Sequence, residues 1–225
     1  MNGVPQPAVA GLNGDAPTTE AVIFDFDGVI VESADIKTEA FIALYKEHGA
    51  QAVEAAVAHH QANGGISRRK KIRHIHREHL GIGLNEDGLE ALCQRFSRLV
   101  ESAVVDCAAV AGAESFLAAH HRRLPLFVVS GTPHEELMRI VDRRRLTPYF
   151  TAVFGSPPEK PPTIRAILRR HGLAAANVLF VGDARTDYEA AAETGLRFIG
   201  RVAPGTASPF PAGTAVIADL TELSL

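Results

Sequence analysis

The run Ala21-Val22-Ile23-Phe24-Asp25-Phe26-Asp27-Gly28 constrains this chain more than any other feature. A short apolar run bounded at once by a turn signal fits a buried strand. Gly28 permits a sharp turn directly after it. The run ends on two carboxylates, and open parallel sheets place their chemistry at strand ends.

Similar apolar runs recur at residues 124–129, 151–154, 178–181 and 198–199, with helical patterns at 133–145, 163–171 and 186–194 between them. Thr132 followed by Glu135 has capping-box spacing, with Pro133 at the first helical position. Gly172 and Gly195 stand where helices end on glycine. The pairs Arg122–Arg123 and Arg169–Arg170 and the run 143–145 read as solvated last turns that complement the helix dipole. Strands alternating with helices in this way predict an α/β fold: a Rossmann-like, mostly parallel sheet with helices on both faces. Residues 32–107 differ. They hold helical stretches at 33–48, 51–62, 67–80 and 85–104 and no convincing strand, so they predict an inserted α-helical cap domain. Residues 19–31 and 108–225 are then the α/β core.

With 225 residues and 46% hydrophobic content, the chain can bury a core of that size. A net charge of -3 lacks the basic excess expected where nucleic acid is the main partner. A small anionic substrate needs only a local positive cluster. No stretch is long and apolar enough to span a membrane. Residues 1–18, rich in Pro, Gly, Ala and Asn, lack the parts of a secretory signal and read as a mobile tail. Cys93 and Cys107 have no metal-ligand spacing and read as small buried apolar residues in a reduced, cytoplasmic setting.

Four carboxylates stand near two predicted strand ends. Asp25 and Asp27 alternate along the first, so their side chains point the same way. Asp183 follows the run at 178–181, and Asp187 lies in the first turn of the next helix. Their convergence is unstable without a cation, and Mg²⁺ suits oxygen ligands and a phosphate substrate. Val29 and Ile30 exclude a calcium loop. Ser130-Gly131-Thr132 can hold phosphate oxygens, or can serve only as a turn and cap. Lys160 can neutralise charge on a carboxylate and a phosphoryl group, or can be a solvated loop lysine.

Asp25-Phe26-Asp27-Gly28-Val29-Ile30, then Ser130, then Lys160, then Gly182-Asp183 with Asp187 resembles the haloacid dehalogenase-like hydrolase superfamily. The helical insertion is similar to the caps of its phosphoglycolate phosphatase and β-phosphoglucomutase branch. The resemblance implies that Asp25 is a nucleophile and that Asp27 protonates the leaving oxygen and then activates water. It implies Mg²⁺ on the Asp25 and Asp183 side chains and the Asp27 backbone carbonyl, with Asp187 supporting the metal shell or Lys160. Ser130 and the Gly131 amide would bind phosphoryl oxygens, and Lys160 would orient Asp25. True dehalogenases of this superfamily lack the aspartate at the Asp27 position, so Asp27 counts against dehalogenation.

In the cap, Lys37 is either a substrate contact or a solvated lysine. Ser67 can cap the helix that follows. The basic run from Arg68 to Lys71 opposes the helix dipole, which a bound anion or a balanced solvated face would offset. The resemblance makes this loop, with Ser67 and Arg68, a specificity loop. His74, His76 and His79 lack the one-face spacing of a zinc pair and read as surface residues. The chain is thus expected to be a Mg²⁺-dependent phosphatase of a small phosphorylated metabolite. The same motifs serve a phosphomutase, and a non-catalytic protein on this fold is the third possibility.

Overall fold

The computed structural model describes residues 18–225, so the tail expected at residues 1–18 lies, apart from Thr18, outside the described residues. Six strands form one parallel sheet in the order β3-β2-β1-β4-β5-β6. They are β1 (Ala21–Phe24), β2 (Leu126–Pro133), β3 (Ala152–Ser156), β4 (Val178–Gly182), β5 (Arg197–Arg201) and β6 (Val216–Ile217). All four residues of β1 are buried, and β1 pairs with β2 on one side and β4 on the other.

Side chains alternate across a strand, and two cores follow from that. Val22 and Phe24 join Val128 and Val181 on one face, under α5 (Ala113–His120) and α6 (His134–Arg143). Ala21 and Ile23 join Phe127 and Phe180 on the other, under α7 (Lys160–His171) and α8 (Arg185–Thr194). The fold is therefore Rossmann-like, with helices on both faces.

Residues between β1 and α5 form α1 (Ala34–Tyr45), α2 (Ala50–Ala62), α3 (Arg68–Ile75) and α4 (Glu86–Asp106). The Asn85 side chain caps α4 by accepting from the Gly88 N–H at 2.8 Å. The expected helix at 67–80 is α-helical only to Ile75; a π turn, His76–Leu80, follows and stops at Gly81 with φ 63°. Phe41, Ile72, Phe96 and Val100 of these helices join the same apolar cluster as Phe24. Among the described residues no helix is long and apolar enough to cross a membrane.

Several expectations need correction. β1 stops at Phe24, so Asp25 and Asp27 lie in the turn rather than in regular strand. β2 runs on to Pro133, with a register shift between Val129 and Pro133. Consequently α6 begins at His134 without a side-chain cap, and the Thr132 capping box does not form. The short helix α5 and the two-residue β6 carry too little pattern to stand out in sequence. Arg122 and Arg123 lie just past α5.

Arg144 is not a solvated helix end. Its Nη1 donates to the carbonyls of Val104, Val105 and Cys107 at 2.9, 2.7 and 2.8 Å, closing the C-terminus of α4. Arg144→Met leaves those acceptors without their cationic donor. The expected result is a loss of about 1–3 kcal/mol in unfolding free energy, read from urea denaturation.

Candidate active site

The order of the sheet sets the ends of β2, β1 and β4 side by side. The Asp25 N–H donates to the Val181 carbonyl at 2.9 Å, and Asp25 Oδ1 accepts from the Phe26 N–H at 2.7 Å. Lys160, the first residue of α7, places Nζ 2.9 Å from Asp25 Oδ2 and bonds Asp187 Oδ1 as well. Asp187 is fully buried in the first turn of α8, and its Oδ2 accepts from the Ala184 N–H at 3.0 Å. One carboxylate oxygen from each of Asp25, Asp183 and Asp187 lies within 4.8 Å of the others. Gly28 makes this approach possible: its φ is 73°, and a Cβ there would sit 2.0 Å from Asp183 Oδ2.

The Asp27 side chain does not join that cluster. Ser33 Oγ donates to its Oδ1 at 2.7 Å, and Thr132 Oγ1 donates to its Oδ2 at 2.8 Å. Lys37 forms an ion pair with the same Oδ2 and donates to Thr132 Oγ1 at 2.9 Å. Three carboxylates converge, then, and the fourth faces a lysine and two hydroxyls. Lys37 is not a solvated lysine. Ser130 Oγ accepts from the Thr132 N–H at 3.2 Å and lies 3.4 Å from Asp27 Oδ2. The bonds from Thr132 and Ser33 to Asp27 were not expected from the sequence; Thr132 lies where the register of β2 shifts, and no sequence signal marks that shift.

The electrostatics follow the geometry. Burial pushes Asp25 up to about 6; Asp187 and Asp27 add to the rise while Lys160 opposes it. Burial, then Asp25 and Asp187, also raise Asp183 well above the carboxylate range. Burial works to lower Lys160, but Asp187 and Asp25 outweigh it and raise the lysine. Burial also opposes charge on Asp27, yet Lys37 and the bonds from Lys37, Ser33 and Thr132 take it down to about 2. A cluster of hard oxygen donors with too little positive charge fits a divalent cation such as Mg²⁺.

A cavity of about 360 Å³ lies against these groups. It is lined by Asp25, Asp27 and Asp183 on the sheet side and by His60, Gly65 and Lys71 on the helical side. The loop before α3 reaches the β2 end closely: a Cβ on Gly131 would lie 2.4 Å from the Gly65 carbonyl oxygen. Thr186 Oγ1 donates to the Gly64 carbonyl at 2.6 Å.

The basic run divides: Arg69 and Lys70 form the balanced, solvated face that is one of the two expectations, whereas Arg68 and Lys71 are buried. Arg68 borders the cavity, but its guanidinium donates to both oxygens of Glu136, at 2.8 and 2.5 Å, and to Ser97 Oγ at 2.7 Å. Arg69 pairs with Glu86 and Glu90, Lys70 with Glu159, and Arg73 with Glu86. Carboxylates of the protein thus offset the unfavourable dipole for these side chains. Ser67 occupies the N-cap position of α3 without a side-chain cap bond. Lys71, named in the basic run but not singled out within it, faces inward. The signal was present: positions 68, 71, 72 and 75 form the buried stripe of α3, and Ile72 and Ile75 mark that stripe as the inner one. The histidines are not uniformly surface residues either. His76 is 5% exposed, and neither of its ring nitrogens has a hydrogen-bond partner among the described residues. Both cysteines are free; Cys93 is buried and Cys107 half-buried.

A family model for the haloacid dehalogenase-like hydrolases matches residues 22–201. Over 189 residues the chain is 26% identical to a phosphoglycolate phosphatase of Pseudomonas savastanoi pv. phaseolicola, covering 78% of this chain and 66% of that protein. Among solved structures, a β-phosphoglucomutase of Clostridium difficile matches with a TM-score of 0.74 at 16% identity, over 92% of this chain and 94% of its own. A HAD-hydrolase of Bacillus subtilis, solved bound to magnesium, matches with a TM-score of 0.67 at 18% identity, over 91% and 96% of the two chains. At such identities the two structures show likeness of fold.

The Asp27–Lys37 pair makes a pH prediction. Asp27 sits near 2 when folded against an ordinary 3.8, so its folded pKa is depressed. The stability it contributes is present above about pH 4 and is lost as pH falls through 2. Lys37→Met removes the cation and should raise the Asp27 pKa. Urea unfolding is expected to show the wild type more stable than Lys37→Met at pH 5, with the difference shrinking between pH 4 and pH 2.

Proposed function

Because the chain belongs to the haloacid dehalogenase-like hydrolase family, we propose that it is a Mg²⁺-dependent phosphatase that hydrolyses a small phosphomonoester through a phosphorylated Asp25. The observation that carries this reading is the buried Asp25 carboxylate 2.9 Å from Lys160, inside the cluster with Asp183 and Asp187. The relative from Pseudomonas is a phosphoglycolate phosphatase, and its aligned part, 66% of its length, falls short of the whole protein.

In this reading an Asp25 oxygen bonds to phosphorus as the ester P–O bond breaks. Asp27 gives its proton to the departing alkoxide. Water then attacks the same phosphorus, Asp27 takes the water's proton, and the Asp25–phosphorus bond breaks to release inorganic phosphate. Ionised Asp27, held so by Lys37, is the form that receives the water's proton. Phosphoryl oxygens arriving beside Lys37 draw its charge away and raise Asp27 toward the protonated form that donates. Ser130 and the Gly131 amide hold phosphoryl oxygens, while Lys160 fixes Asp25 and offsets its charge. The Asp25 and Asp183 side chains and the Asp27 backbone carbonyl would hold Mg²⁺, with Asp187 in support; when bound it supplies positive charge that lets an anionic ester approach a carboxylate. Residues 32–107 act as the cap that covers the site, and residues 19–31 and 108–225 as the core that carries it. Dehalogenation is disfavoured because Asp27 occupies the acid/base position.

Phosphate release from phosphoglycolate, sugar phosphates and nucleotides tests the reading. Turnover of at least one ester is expected with Mg²⁺, its loss in EDTA, and its return on adding Mg²⁺. Asp25→Asn is expected to lower kcat at least about a thousandfold. Full activity in that variant would overturn the assignment, and an isomerised hexose phosphate in place of free phosphate would move it to a phosphomutase.

A further inference from the structure

Five cationic side chains line the cavity beside Asp25: Lys37, Arg68, Lys71, Arg185 and Arg201. Four have carboxylate partners. Lys37 pairs with Asp27, Arg68 with Glu136, Arg185 with Glu189 and Arg201 with Glu32. Lys71 forms no ion pair among the described residues, although it is only 4% exposed. Its Nζ lies 2.8 Å from His60 Nδ1 and 3.3 Å from the His60 carbonyl oxygen, both neutral acceptors. The Phe41 ring centroid lies 5.9 Å from the same nitrogen.

A buried ammonium with only neutral acceptors lacks its counter-charge. Burial and the neighbouring Lys37 pull Lys71 down to about 7, and the distant attraction of Asp27, Asp183 and Asp25 does not offset them. His60 stays neutral, since burial, Lys71 and Lys37 hold its pKa near 3, and its Nδ1 can accept from the Lys71 ammonium. The arrangement holds the Lys71 amine in place without giving it a carboxylate, so an anion that enters brings the charge that favours its ammonium form.

The reacting phosphoryl group is accounted for by Lys160, Ser130 and Gly131 on the sheet side. Lys71 comes from α3 on the helical side, and the cavity of about 360 Å³ suits a small molecule extending between the two. We propose that Lys71, positioned by His60, binds a second anionic group of the substrate, so that this protein prefers phosphomonoesters carrying a carboxylate or another phosphate away from the reacting phosphorus. The inference rests on the phosphatase reading and deepens it by naming the substrate class. Lys71 is a specificity residue: it takes no part in bond making.

The test compares matched esters with the full-length protein and Mg²⁺. Phosphoglycolate is set against 2-hydroxyethyl phosphate, and a sugar bisphosphate against the corresponding monophosphate. The wild type is expected to favour at least one doubly anionic member by roughly tenfold or more in kcat/KM, the range of a charge-assisted hydrogen bond. Which pair shows the preference tells a carboxylate from a phosphate. Lys71→Met should raise KM for that substrate by a similar factor, leave kcat within about twofold, and leave the singly anionic partner unchanged. Lys71→Arg should restore most of the preference. Equal treatment of both pairs by an Asp25-dependent wild type sinks this inference and leaves the phosphatase reading standing. If no ester turns over, calorimetric binding of the same doubly anionic compounds decides: no binding, or binding that Lys71→Met leaves unchanged, also overturns it.

Discussion

The site depends on one ammonium held between carboxylates. Lys160 begins α7, where the positive end of the helix dipole disfavours a cation. It is 7% exposed there, and desolvation disfavours it again. Asp25 and Asp187 outweigh both effects, which is why its pKa rises despite burial. Asp187 can serve only because its other oxygen accepts from the Ala184 N–H, fixing the start of α8. The ends of β1, the beginning of α7 and the beginning of α8 are thus tied through one nitrogen atom. Asp183 then has nowhere to shed its repulsion, and its raised pKa records that.

Sheet order turns this local knot into a pocket. β1 lies between β2 and β4: the chain winds from β1 out to β2 and β3 on one side, then crosses back to β4 on the other. Strand ends at such a reversal diverge and leave a crevice. The Gly28 turn lets Asp183 pack against the end of β1, since any side chain there would drive into its carboxylate. Within the stretch of β2 where the register shifts, Thr132 meets Asp27. The result is two separate electrostatic compartments only residues apart in sequence. Asp25 faces Lys160 and two carboxylates and is hard to ionise, whereas Asp27 faces Lys37 and two hydroxyls and is easy to ionise.

Much of this was legible because it is local. The apolar runs of β1, β2 and β4 are long enough and bounded sharply enough to read as buried strands, and glycines 172 and 195 end their helices in the left-handed conformation. The approach of Asp25, Lys160, Asp183 and Asp187 was expected from motif order. What escaped depends on contacts between distant residues. Thr132 looks like a helix cap until β3 pairs with Pro133 and extends the strand. Arg144 looks like a helix-end charge until the C-terminus of α4 arrives with three open carbonyls. Lys37 looks solvated until Asp27 turns away from the acidic cluster to meet it.

Helix α3 shows the limit most clearly. Arg68 and Lys71 lie on the same buried stripe, three residues apart, and hydrophobic periodicity assigns both to the interior. Periodicity does not say which of them keeps its charge uncommitted. Glu136 lies 68 residues beyond Arg68, on a helix of the other layer, and its two oxygens match the planar fork of a guanidinium. That pairing makes Arg68 a brace between α3 and α6 and commits its charge to Glu136, although it still borders the cavity. Lys71 meets a histidine nitrogen, a carbonyl oxygen and the Phe41 ring, and among the described residues no carboxylate pairs with it. The amphipathic pattern therefore selects the inward side chains, and the long-range partners divide them into those that hold the helical layer down and the one left to meet a ligand.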